Sequence, residues 1–187
     1  MGIFNHWVGN NKIMQMRPTI DSEMITVDSV LSSWKNVFSF HTQENDSPGL
    51  RPAQLGALFS IKAHWIVSNE PATVVMPTGT GKTETMIATV ISEMIGRTFI
   101  IVPSNLLRKQ TVEKFLSFGI LQNIGVIRDD ALKPTVTALR KTPKELSDLQ
   151  ELLDKSNVIV TTMSLLQRFS DEYLMAISKT CNTLIVD

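Results

Sequence analysis

The chain has 187 residues, 43% of them hydrophobic and 19% charged, which is the make-up of a folded globular protein and excludes a disordered or fibrous one. Eighteen Lys and Arg balance eighteen Asp and Glu, so there is no bulk positive field to attract nucleic acid, and any such contact must be local. A single cysteine, Cys181, excludes an intramolecular disulfide and reads as core filler; no apolar run approaches the ~18 residues of a membrane span, so a cytoplasmic protein with no membrane partner is expected.

Residues 1–48 read as an N-terminal extension of irregular pattern. Asn5, Asn10 and Asn11 break its start, and Gln43 to Gly49 form a linker rich in turn formers. Between them Val30, Leu31, Trp34, Val37 and Phe38 recur at helical spacing and predict one amphipathic helix.

From residue 49 to 187 strand and helix patterns alternate. A helix is predicted from Pro52, with proline in its first turn and Leu55, Leu58 and Phe59 in helical order. The apolar run from Ala72 to Met76 reads as a buried strand. A glycine-rich loop follows, then a helix with Ile87, Val90, Ile91, Met94 and Ile95 on one face and Gly96 as its stop. Phe99 to Val102 is a second strand closed by Pro103, and Ser104 caps a helix carrying Leu107, Thr111, Phe115 and Phe118. Ile124 to Ile127 reads as a third strand. Thr142-Pro143-Lys144-Glu145 reads as a capping box that opens a helix striped by Leu146, Leu149 and Leu153; Val158 to Thr161 and Thr183 to Val186 are further strands. Short strands apolar on both faces and separated by helices predict an α/β fold, a mostly parallel sheet with helices on both faces. Ligands in such sheets bind beyond the carboxyl ends of the strands, where the glycine-rich loop falls.

That loop is Pro77-Thr78-Gly79-Thr80-Gly81-Lys82-Thr83. In the pattern G-x-x-x-x-G-K-[ST], backbone N–H groups wrap phosphates, Lys neutralises their charge and the hydroxyl binds Mg²⁺. Gly81-Lys82-Thr83 supplies its end, but Met76 stands where the first glycine would be. A turn that binds nothing is the competing reading, and a turn alone needs neither Lys82 nor Thr83. His6, His41 and His64 have no ligand spacing, so no His/Cys metal site is expected.

The segment from Met76 to Thr83 resembles motif I of the superfamily 2 helicases and translocases, of DEAD/DEAH-like type, in which the first glycine is often replaced. Other segments resemble that family in order: Gly49 to Gln54 the stretch carrying an adenine-recognising Gln, Ile101 to Gln110 motif Ia, Val158 to Leu166 motif Ic, and Leu184-Ile185-Val186-Asp187 the start of motif II. The resemblance spans residues 49–187 and implies a first RecA-like ATP-binding domain. It implies that ATP is bound by Gln54, Arg51, Thr78, Gly79, Thr80, Gly81, Lys82 and Thr83, with Mg²⁺ on Thr83 and Asp187. Lys82 and Asp187 are the implied catalytic residues, and Ser104, Arg108, Thr161 and Thr162 the implied contacts to DNA or RNA. Each has a plainer reading beside it: Gln54 a solvated helix residue, Ser104 a helix cap, Thr161 and Thr162 a strand end, Asp187 a terminal acid.

By the same resemblance a Glu should follow Asp187 and a second RecA-like domain should supply arginines. Residues 1–187 therefore read as the front part of an ATP-dependent motor, inactive alone. A P-loop ATPase without nucleic-acid activity and a degenerate interaction fragment are the alternative readings.

Overall fold

The computed structural model describes residues 4–8, 13–20, 23–44 and 47–187. The elements in chain order are β1 (Phe4–Val8), β2 (Ile13–Ile20), β3 (Glu23–Met24), α1 (Val27–Ser33), α2 (Pro52–Val67), α3 (Lys82–Ser92), β4 (Thr98–Val102), α4 (Asn105–Ser117), β5 (Val136–Leu139), α5 (Leu146–Asp154), β6 (Val158–Thr162), α6 (Met163–Leu166), α7 (Asp171–Thr180) and β7 (Thr183–Val186).

Aliphatic side chains on both sides of a strand must be covered on both sides, and helices do this here. Every residue of β4, β5 and β6 is buried. These strands and β7 form a parallel sheet in the order β5-β6-β4-β7. Alternate residues enter two cores: Ile100, Val102, Val158 and Val160 pack with Ile87, Ile91 and Phe115, whereas Phe99, Ile101 and Ile159 pack with Leu149, Leu153 and Ile177. This is the expected α/β arrangement, a mostly parallel sheet with helices on both faces. No helix among the described residues is long and apolar enough to cross a membrane.

Several local expectations are corrected. The N-terminal segment is not irregular: β1 and β2 pair antiparallel, and β2 runs antiparallel to β5 from Ile13 opposite Leu139 to Met16 opposite Val136. Asn5 lies within β1, while Asn10 and Asn11 lie outside the described residues. Within the expected linker, Asn45 and Asp46 also lie outside them; on either side Glu44 and Ser47 exchange backbone bonds, and Gly49 lies so close to Thr42 that a Cβ would sit 2.6 Å from its carbonyl. The helix expected from Val30 to Phe38 ends at Ser33.

Ala72 to Met76 is not a strand, and Val75 is 91% exposed. A strand exists through a ladder to a neighbour, and among the described residues this run has none. Ile124 to Ile127 is likewise a turn that ends in one isolated bridge, Ile127 to Phe38, whereas the sheet takes Val136–Leu139 instead. Helix α3 stops before Gly96, because Met94 rather than Gly96 takes the left-handed turn at φ +50°. Helix α5 begins after Glu145, to whose N–H Asp148 returns a bond of 3.3 Å, so Pro143 lies ahead of the helix and not in it.

Asn157 fastens the amino-terminal edge of the sheet. It is fully buried; its Oδ1 accepts from Thr135 N at 3.0 Å, and its Nδ2 donates to Val27 O and Gly96 O, each at 3.2 Å. Asn157→Ala leaves three backbone groups without these partners and should destabilise the fold by about 2 kcal/mol, read as a lowered urea midpoint. An unchanged midpoint would show that water replaces the amide.

Candidate nucleotide site

The site is built where α2 and α3 meet the glycine loop. Thr80 closes a turn on Pro77 O through its N–H at 3.3 Å and its hydroxyl at 2.6 Å. Gly79 and Gly81 then take φ +81° and +92°, the left-handed region that a side chain disfavours. Gly81 is the N-cap of α3, and the first helical bond is Thr85 N to Gly81 O at 2.9 Å. The N–H groups of Lys82, Thr83 and Glu84 therefore open the helix with no acceptor in a preceding turn, a positive end suited to an anion.

The N-cap residue of α2, Arg51, and Gln54 of its first turn hold both glycines. Arg51 Nη1 donates to Gly79 O at 2.7 Å. Gln54 is only 2% exposed; its Oε1 accepts from Arg51 N at 2.9 Å and its Nε2 donates to Gly81 O at 3.3 Å. The solvated-helix reading of Gln54 is thereby excluded. Its amide still has one N–H and one lone-pair position unused.

Lys82 and Thr78 are exposed, Thr80 and Thr83 half-buried. Neither Lys82 nor Thr83 has a side-chain hydrogen bond or ion pair among the described residues, so both are free for a ligand. Asp187 is exposed beyond β7, with its N–H donating to Ile101 O at 2.9 Å, and shares no bond with the loop among the described residues.

The four residues expected at nucleic acid separate. Register sets Val102 beside Thr162 and Ile101 beside Thr161, so both threonines lie at the carboxyl end of β6; Ser104 follows β4, and Arg108 lies within α4. Ser104 is exposed, and its hydroxyl caps α4 by accepting from Leu107 N at 3.2 Å. Arg108 is only 9% exposed and donates through Nη1 to Leu139 O at 3.1 Å; burial, reinforced by Arg140, lowers its pKa from the usual arginine value. Thr161 is fully buried with its hydroxyl unpartnered, and Thr162 is buried beside it, since β6 is an interior strand. Only Ser104 of the four meets solvent directly.

Sequence reasoning missed Glu84 and Lys114. Glu84 stands in the first turn of α3, buried, and forms an ion pair with Lys114 of α4. A charge on an otherwise apolar buried helix face is the signal that was available. Cys181 is half-buried, and burial pushes its thiol up to about 11, which leaves it a poor nucleophile.

Residues 47–187 match the family model of the type III restriction enzyme res subunit. The chain belongs to that family. A comparison with curated proteins returned no match. As a res-subunit family member the chain carries a superfamily 2 helicase-like, ATP-binding domain, to which the glycine loop and its two clamps belong. The family as a whole points to ATPase and helicase-like activity and to nucleic acid as the partner.

Proposed function

We propose that the chain is the first RecA-like, ATP-binding domain of an ATP-dependent DNA or RNA helicase or translocase, with residues 1–48 an extension and 49–187 the domain itself. The observation that carries this reading is the exposed Lys82, unpaired among the described residues, at the free N–H groups of α3, in a loop whose two glycines are held by Arg51 and Gln54. Lys82 neutralises the β- and γ-phosphates, which the N–H groups of the loop receive. Thr83 and Asp187 are the proposed Mg²⁺ residues: a free hydroxyl and an exposed carboxylate are hard oxygen donors that suit this ion. Bound there, Mg²⁺ would offset charge on the phosphate oxygens.

Arg51 is committed to Gly79 O, so the cation that stabilises transition-state charge is assigned to a second RecA-like domain. The nucleic-acid phosphate is assigned to the face led by Ser104. Arg108, Thr161 and Thr162 lie behind that face, where Arg108 ties α4 to β5. Stimulation of ATP hydrolysis by DNA or RNA in a protein that also carries the second domain tests the motor reading. Its absence would favour a P-loop ATPase that does not use nucleic acid.

Gln54 is proposed to read adenine with its unused donor and acceptor. Guanine presents an oxygen where adenine presents an amine, so an acceptor would face an acceptor. ATP should outbind GTP roughly tenfold in calorimetric titration, and Gln54→Ala should remove the preference. Equal affinities in the unmodified chain would leave Gln54 as a brace for the loop alone.

A further inference from the structure

A carboxylate in the first turn of α3 is an unexpected group for a site that receives phosphate. The free N–H groups of a helix start favour any anion, and a side-chain carboxylate there competes with a ligand for the same positive end. Glu84 is the third residue of that helix and is 8% exposed. Its Oε2 lies 3.6 Å from where a Cβ on Gly81 would stand, so the charge sits directly behind the phosphate loop. Its other oxygen rests against Gly119, where a Cβ would come within 3.1 Å, and Gly119 takes φ +57°. The carboxylate is thus admitted by a residue without a side chain and faces Lys114, whose ammonium reaches it from the last turn of α4.

We infer that Glu84 and Lys114 form a positioning pair for the triphosphate, in which Lys114 cancels the carboxylate's charge and so sets how tightly the loop holds a polyphosphate. The inference rests on the ATP reading above. Neither side chain touches the ligand; the effect is transmitted by charge from the buried carboxylate, and because the Lys114 side chain is 43% exposed it is partly screened by salt. The pair also bridges α3 to α4, the helix that Ser104 caps, and so joins the phosphate loop to the proposed nucleic-acid face.

The test is calorimetric titration of the 187-residue chain with Mg–ATP and Mg–ADP, with a thermal melt of every variant. Lys114→Met leaves a bare carboxylate behind the loop and should weaken Mg–ATP roughly tenfold, equivalent to about 1.4 kcal/mol, with a smaller loss for Mg–ADP, which carries less charge. Lys114→Arg should keep the affinity. Glu84→Gln alone should tighten Mg–ATP, and Glu84→Gln with Lys114→Met should restore it to near the original value. Should Lys114→Met fail to fold, the last two proteins carry the test by themselves. A double variant that binds Mg–ATP well below the original affinity would show a purely structural brace and overturn the inference, as would unchanged affinity in Glu84→Gln or in Lys114→Met. Failure of the unmodified chain to bind Mg–ATP would overturn the ATP reading, and this inference with it.

Discussion

Lys82→Ala should weaken Mg–ATP binding by roughly a hundredfold while the chain stays folded. Lys82 is exposed and bonded to nothing else among the described residues, so its removal opens no cavity and strands no partner. Its cost to stability should stay within about 0.5 kcal/mol, as for other surface substitutions away from a structural feature. What is lost is a cation on phosphate: two charge-assisted bonds at about 1.5 kcal/mol each amount to about 3 kcal/mol, or two decades in affinity. Titration calorimetry gives the affinity, and a urea melt confirms the fold. Comparable affinity in the variant would mean that phosphate is not bound at this loop. A large fall in the urea midpoint would mean that Lys82 has a structural partner.

The parts of the fold that were legible in the sequence are those with a periodic or compositional cause. Phe99 to Val102 and Val158 to Thr161 were visible because interior parallel strands are apolar on both faces, Thr183 to Val186 was visible by composition although β7 is an edge strand with Leu184 and Val186 exposed, and Ser104 was visible as a cap because its hydroxyl bonds Leu107 N. The run from Ala72 to Met76 has the same composition as those strands, yet strand identity also needs a ladder partner, which a local pattern does not contain. The N-terminal hairpin was hidden for the opposite reason. Asn5, which looks like an interruption, stands within β1, and β1 is held by β2, whose own pairing with β5 is set some 120 residues away in sequence.

The site was legible as chemistry before it was legible as geometry. Gly81-Lys82-Thr83 declares phosphate by residue type, and the bond from Gln54 to Gly81 O places the segment ahead of the loop against it. Burial was not readable. Arg108 carries a charge that suggests a surface contact, but its guanidinium is spent on Leu139 O, and Thr161 looks available until β6 is seen to lie between β4 and β5. Lys114, thirty residues from Glu84, announced nothing until the two helices were packed together.

Gly81→Ala should be the most damaging single change in the loop, and Gly79→Ala provides its control. Both glycines have positive φ, so an alanine at either pays a backbone cost of about 1–2 kcal/mol. At Gly79 the cost ends there, because nothing lies within 4 Å of the new Cβ. At Gly81 the Cβ runs into Gln54 Nε2, so the amide must leave Gly81 O, and a buried donor loses its partner at a further cost of about 1–3 kcal/mol. Gly81→Ala should therefore lower stability by about 2–5 kcal/mol against about 1–2 for Gly79→Ala, and it should abolish Mg–ATP binding because the displaced N-cap carries the N–H groups of α3 with it. Pairing Gly81→Ala with Gln54→Ala removes the collision and should recover about 1–2 kcal/mol of stability without restoring affinity, since the strained φ at the cap persists. Urea melts of the four proteins, read as a double-mutant cycle, isolate the collision from the backbone term. Equal stability of the Gly81→Ala and Gly79→Ala variants would show that α2 is not held against the loop through Gln54.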